Sequence, residues 1–347
     1  MNEIEQKINR TSGIAVAGRE RGIMLIIVLW IMMLLIVMTL AFSVTVRTEA
    51  FSTLTFRDQL ENKYLAEAGL ERAMLEILYR NANKTTAAEN NARSVIPIDG
   101  TTREGALEDG RYRLALTDEG GKININLLTD ASGIILNNLL VNLGVEKEQA
   151  DTIVDSVLDW KDTDDLHRLH GAESNYYMGL PNPYKARDAN FDNLEELLLV
   201  RGMTQDILYG TGEKPGLIRF LTVYTSADRI NIQAARPEVL AAIPGMTDEI
   251  VQAVITYRRS DNTRKDGPDL QSLVSAANFA SMTQYVTTTD SNVYSVEVIG
   301  FKPERTGGYP LKAVLVAGGM DRCRIAFYQS PAHMEIPRDD ALQERLQ

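Results

Sequence analysis

A long apolar segment lies near the N-terminus, where the 25 residues from Gly22 to Val46 carry no charge. A helix needs about 20 apolar residues to cross a bilayer, so this segment is long enough to span one. A cleaved secretory signal has an apolar core of only about 7 to 15 residues, which is too short to match. The positive-inside rule then keeps residues 1–21 cytoplasmic and sends the C-terminal bulk across the membrane. The basic residues before the segment are Lys7, Arg10, Arg19 and Arg21.

The helical pattern continues beyond the apolar segment, from Arg47 to about Asn81, without a proline. Apolar residues recur there at helical spacing, and residues that favour helices are abundant. The simplest prediction is one long helix that is apolar in its first half and amphipathic in its second. A membrane anchor followed by a separate soluble helix is the alternative. The recurring apolar residues are Phe56, Leu60, Tyr64, Ala68, Leu75 and Leu78.

Two regions show the alternation that is typical of strands. Residues 81–105 are polar and predict a loop, after which residues 110–126 alternate around Glu119-Gly120-Gly121 and predict a hairpin. Far downstream, residues 292–301, 311–319 and 321–329 predict three further strands. A long helix followed by a divided antiparallel sheet predicts an α+β fold.

Residues 130–290 between the strand groups are mostly helical in pattern, and their turns repeat. Helix, turn and helix recur around Leu143-Gly144, Arg201-Gly202 and Pro244-Gly245. The first and third units are each preceded by Ile-Asn-Ile, at 123–125 and 230–232. The sequence therefore predicts a large all-α domain of helix-hairpin-helix-like units inserted into the sheet.

Composition narrows the chemistry that this chain can perform. It has 347 residues, 36 basic and 47 acidic, and a net charge of −11, which disfavours nucleic acid as the main partner. Its single cysteine, Cys323, excludes an internal disulfide and a thiolate zinc site. The acidic charge instead favours divalent cations and basic partners. No phosphate-cradling or GxSxG motif is present, and the sequence predicts no enzyme.

The leader "RERGIMLIIVLWIMMLLIVM" resembles a prepilin-peptidase site, with Gly22 before the cut and Ile23 after it. Most pilins and pseudopilins carry Glu at the fifth mature position, whereas Ile27 stands there in this chain. A carboxylate inside a bilayer is tolerated where it has a partner, and in pilins that partner is the amine of the neighbouring subunit. A subunit without this Glu is suited to be first in a fibre. Together with "AEAGLERA" and the helical units, these features resemble the type II secretion minor pseudopilins of the general secretion pathway protein K family.

The resemblance implies a pilin-like fold, with the long N-terminal helix packed on the antiparallel sheet and the α-domain at the fibre tip. It also implies an inner-membrane protein, single pass, with a periplasmic bulk that initiates the pseudopilus and supports export. Its implied partners are minor pseudopilins I and J, the major pseudopilin, the prepilin peptidase and the inner-membrane assembly platform. The predicted segments are the leader 1–22, the transmembrane part 23–46, the core 47–126, the inserted domain 127–290, the core strands 291–330 and a mobile tail 331–347.

The densest polar cluster holds seven carboxylates between Asp151 and Glu173. Carboxylates packed this closely repel one another unless a cation offsets them, and calcium accepts six to eight oxygens in flexible arrangements. The positions of an EF-hand are not satisfied, because Leu166 and His167 stand where a ligand and a glycine are needed. Family members resemble this stretch and bind calcium in the α-domain, so an irregular structural calcium site is the hypothesis. Its candidate ligands are Asp159, Asp162, Asp164, Asp165 and Glu173; a solvated helix end with aspartate caps is the alternative.

Three other functions are weighed against this interpretation. His167 and His170 invite a zinc site, although pairs of this spacing are usually incidental surface residues. The hairpin before Thr247 resembles that of membrane-tethered DNA receptors, but Asp248 and Glu249 in the next helical turn would repel a phosphate. A minor pilin of a type IV system would share the leader and the long helix.

Overall fold

The computed structural model describes residues 17–82, 96–212, 214–259, 276–305, 307–318 and 322–332. Helix α1 runs from Ala17 to Ala82 over 66 residues, which confirms the prediction of one continuous helix. Among the described residues, its apolar part is the one stretch long and apolar enough to cross a membrane. The basic residues Lys7 and Arg10 of the predicted leader lie outside the described residues.

The chain divides into two compact units, one ending at Glu61 and the other beginning at Asn62. In the first unit, the large apolar side chains from Ile23 to Val46 are exposed. They find no cover within the described chain, which suits a segment surrounded by lipid.

The second unit contains a five-stranded antiparallel sheet. Its apolar face packs on the C-terminal part of α1 through Ala66, Leu70, Ala73 and Ile77. The chain enters the sheet twice, once before and once after the inserted domain. From one edge of the sheet to the other, the strands are β1 (Asp99–Leu107), β2 (Gly110–Asp118), β9 (Val293–Phe301), β10 (Tyr309–Ala317) and β11 (Cys323–Gln329).

The predicted loop and hairpin in the first strand group are wrong. Residues 99–105, predicted as loop, belong to β1, which pairs with β2 through a turn at Glu108 and Asp109. Glu119–Gly121 is a short 3-10 turn that leaves the sheet rather than the tip of a hairpin. The error has a physical reason, because β1 is an exposed edge strand and needs no alternation of apolar residues. The C-terminal strands predicted at 292–301, 311–319 and 321–329 are confirmed to within two residues.

The segment between β2 and β9 is built mainly from short helices around its own apolar core. Two-residue strands also pair within it, β3 (Ile123–Asn124) with β6 (Leu221–Thr222), β4 (Gly210–Thr211) with β5 (Lys214–Pro215), and β7 (Ile230–Asn231) with β8 (Val286–Thr287). The described helices are α2 (Gly133–Asn142), α3 (Lys147–Lys161), α4 (Ser174–Met178), α5 (Gln205–Tyr209), α6 (Pro237–Ala242), α7 (Asp248–Arg259) and α8 (Ala276–Thr283).

The repeated turns of the sequence share a backbone geometry. Gly144, Gly202 and Gly245 have φ of 86°, 84° and 84°, a region that favours glycine. The Ile-Asn-Ile segments also match, since Asn124 and Asn231 each accept a 3.0 Å hydrogen bond from the backbone amide two residues on. The second of these units differs from prediction in one respect, because its first element, Leu194–Leu199, is a 3-10 helix.

Candidate functional site

The acidic cluster lies at the C-terminal end of α3. Asp159 stands in the last turn of that helix and Asp162 follows its final residue, Lys161. A loop then returns the chain to Glu173, which immediately precedes α4. The aromatic residues Trp160 and Tyr177 pack edge to face at 5.1 Å and join the two ends of the loop in the apolar core.

Three of the five predicted ligands meet in space. Oxygens of Asp159, Asp162 and Glu173 lie within 4.8 Å of one another, and Glu173 is only 4% exposed. Both carboxylate oxygens of Glu173 and Oδ1 of Asp162 are buried without a hydrogen-bond partner. Asp164 and Asp165 are exposed and stand outside this group, and Oδ1 of Asp164 accepts a 2.8 Å hydrogen bond from the Leu166 amide.

The electrostatics of the cluster are unfavourable for a bare carboxylate. Burial, followed by the charges of Asp159 and Asp162, raises the pKa of Glu173 to about 7. Burial also raises the pKa of Asp159, against the opposing hydrogen bonds from Arg168. Oxygen atoms that are buried, mutually repelling and unpartnered are a chemical arrangement that a hard cation would complete.

Several residues of this site were not predicted from the sequence. Nη1 of Arg168 lies 2.7 Å from both Asp159 Oδ1 and Asp162 Oδ2, and its Nε lies 2.7 Å from Asp130 Oδ1. Asp188 adds its charge to those that raise the pKa of Glu173. Asp130 and Asp188 lie outside the acidic run, so the sequence contains no local signal for their proximity.

The ligand set fits a cation that prefers oxygen ligands better than it fits zinc. The three clustered groups supply carboxylate oxygens alone, which suits calcium, whereas zinc sites draw on nitrogen and sulfur. Nδ1 of His167 lies 3.0 Å from the neighbouring Arg168 carbonyl, and neither His167 nor His170 belongs to the cluster. Within the described residues, the zinc hypothesis therefore has no assembled site.

The raised pKa of Glu173 predicts a pH-dependent stability in chelator. The folded chain favours protonated Glu173, so this contribution is fully present below pH 4.5 and is lost as pH rises through 7. We expect a loss of about 1–3 kcal/mol over this range, because solvent and ions screen part of the repulsion from the neighbouring carboxylates. Thermal unfolding of the full chain in detergent, with Glu173→Gln as control, measures it. Identical pH profiles for the two proteins would contradict the assignment.

The predicted processing residues lie in α1. The backbone of Gly22 and Ile23 is helical, and the Ile27 side chain is 52% exposed. Five residues after Gly22, the helix thus presents an apolar side chain where most pilins have a carboxylate.

The hairpin that resembles a DNA-binding element already has anionic groups at its helix start. Gly245 forms the turn, and Asp248 and Glu249 occupy the first turn of α7. A hydrogen bond from Thr247 lowers the pKa of Glu249, which stays ionised. These charges disfavour a phosphate at this position.

Comparison with known proteins relates the chain to one family. A family model described as type II secretion system, protein K, matches residues 121–210. Type II secretion system protein K of Pectobacterium carotovorum is 31% identical over 200 residues, which cover 54% of this chain and 60% of that protein. A putative type II secretion system protein K of Escherichia coli K12 is 26% identical over 195 residues, 54% of this chain and 59% of that protein. The match thus spans about three fifths of each relative's length.

A solved structure extends the likeness in fold. The GspK-GspI-GspJ complex of the enterotoxigenic Escherichia coli type 2 secretion system contains a chain that matches with a TM-score of 0.60 at 16% identity. The match covers 82% of this chain and 100% of that one, which confirms the pilin-like α+β fold. These relatives do not support the alternatives of a DNA receptor or a type IV minor pilin. Residues 121–210 therefore match the type II secretion system protein K family, and the resemblance inferred from the sequence is confirmed.

Proposed function

We propose that this chain is a minor pseudopilin of type II secretion that initiates the periplasmic pseudopilus and supports protein export. The observation that carries the proposal is the protein K segment at 121–210, inserted between β2 and β9 of a pilin-like sheet. A pilin-like frame supplies the means of joining a fibre, and the insertion distinguishes this subunit from those that repeat along it.

Two features favour a position at the tip of the fibre. The inserted domain has an apolar core of its own and is too bulky to repeat inside a closely packed helical fibre. Ile27 supplies no carboxylate to receive the amine of a preceding subunit. The subunit therefore has no need of a neighbour above it and acts as the first in assembly.

The proposed partners follow from this role. The related structure holds GspK together with GspI and GspJ, so the corresponding minor pseudopilins I and J are the first partners to test. The major pseudopilin, the prepilin peptidase and the inner-membrane assembly platform are the others. The apolar part of α1 would anchor the chain in the inner membrane by a single pass, and the rest of the chain would lie in the periplasm. The proposed role of the protein is structural rather than enzymatic.

Calcium is proposed as a structural ligand of the inserted domain. Asp159, Asp162 and Glu173 would hold it, since their oxygens converge and three of them are buried without partners. The bound ion would offset the repulsion among the carboxylates and join the end of α3 to the start of α4.

Cleavage by the prepilin peptidase tests whether the protein is a pseudopilin. We expect mass spectrometry of the membrane-extracted protein to find an N-terminus at Ile23, methylated, in cells with prepilin peptidase. An N-terminus upstream of Ile23 is expected in cells without the enzyme, because Gly22 precedes the cut. An unprocessed N-terminus in both strains would instead indicate a permanent anchor and overturn the assignment.

A further inference from the structure

Arg168 lies in the loop between α3 and α4, and its guanidinium contacts the carboxylates of the acidic cluster. Its Nη1 donates to Asp159 and Asp162, each at 2.7 Å, and its Nε reaches Asp130 at the same distance. An arginine guanidinium is protonated at every working pH, so Arg168 brings a full positive charge to these carboxylates. Two of the three candidate cation ligands therefore already hold a positive group.

The backbone around Arg168 is fixed by the same row of carboxylates. Asp159 Oδ2 accepts from the Arg168 amide at 3.1 Å, and Asp155 Oδ2 accepts from the His170 amide at 3.0 Å. Asp155 and Asp159 lie one turn apart on α3. These contacts use groups other than Glu173, so they position the arginine without help from an ion.

The positive charge of Arg168 reduces the net negative charge of the cluster. With Glu173 ionised, the three clustered carboxylates carry a charge of −3, and the guanidinium reduces it to −2 while it also pairs with Asp130. Glu173 receives no hydrogen bond from Arg168 and keeps both oxygens free. The site thus contains one unpaired carboxylate for an incoming ion and two that are already partly satisfied.

We propose that Arg168 is a built-in counter-cation, which lets the inserted domain fold without metal and lowers the affinity of the site for divalent cations. The inference rests on the proposed cation site and adds a residue that sets its strength. A positive group beside the ligands stabilises them in the absence of the ion and repels the ion when it enters.

The test compares Arg168→Gln, Arg168→Lys and wild type as full chains in detergent, by calcium titration calorimetry and by melting in chelator. Arg168→Gln should bind calcium about tenfold more tightly and melt at a lower temperature in chelator. Arg168→Lys keeps the charge and should bind within about threefold of wild type. Arg111→Gln removes an ion pair with Glu104 in the sheet and should leave calcium affinity unchanged.

Equal or weaker calcium binding by Arg168→Gln would overturn the proposal, provided that wild type binds and Glu173→Gln does not. Calcium binding that survives in Glu173→Gln would instead refute the proposed site itself. If Arg168→Gln folds only in calcium, the counter-cation role is supported directly. If Arg168→Gln folds neither in calcium nor in chelator, the Arg168→Lys variant decides the question. A calcium affinity equal to that of wild type supports the role of the positive charge, and a tenfold change in affinity contradicts that role.

Discussion

Replacing Glu173 by Gln should abolish the stabilisation of this protein by calcium and raise its stability in chelator. Wild type saturated at 100 times the dissociation constant should gain about 2.7 kcal/mol. Glutamine has nearly the shape of glutamate but no charge, so it removes a ligand and also the repulsion from Asp159 and Asp162. The two effects have opposite signs, which separates this outcome from simple damage to the fold.

Thermal melting of the full chain in detergent, followed by tryptophan fluorescence, measures both effects. Trp160 is buried beside the site and reports on the inserted domain. Asp165→Asn is the matched control, because Asp165 is exposed and stands outside the three-carboxylate group. The control should keep the calcium response. A Glu173→Gln protein that calcium stabilises as much as wild type would contradict the site.

Substituting Gly300 by Ala should strongly destabilise the contact between the sheet and α1. A Cβ at Gly300 in β9 would lie 2.2 Å from the Asn62 carbonyl oxygen and 2.3 Å from the Ala66 amide nitrogen, both backbone atoms of α1. Backbone cannot turn aside as a side chain does, so the helix would have to move off the sheet. We expect the free energy of unfolding to fall by about 3 kcal/mol.

Gly212→Ala is the control for this change, since a Cβ there meets no atom within 4 Å. Thermal unfolding of both variants gives the comparison. A Gly300→Ala protein that melts with the Gly212→Ala control would mean that α1 does not pack against β9 as described. The experiment therefore tests the helix-on-sheet contact that makes the fold pilin-like.

The sequence predicted secondary structure best where the residue pattern of a single helix or strand was sufficient to identify it. The absence of proline and the helical spacing after Arg47 were enough for α1, and the alternation in β9 and β10 was enough for those strands. The turn glycines Gly144 and Gly245 were recognisable because the backbone there needs positive φ. Strand β1 carries no such signal, because an edge strand pairs through backbone atoms and exposes its side chains on both faces.

The candidate site divides in the same way. The density of carboxylates from Asp151 to Glu173 is visible in the sequence, because charge density is a local property of the chain. The convergence of Asp159, Asp162 and Glu173, and the exposure of Asp164 and Asp165, become visible only in the folded chain. The direction of a side chain depends on where α3 ends and how the loop returns. The packing of Trp160 on Tyr177 and the hydrogen bonds from Arg168 to Asp159 set that return path, and both depend on contacts that spacing along the chain does not encode.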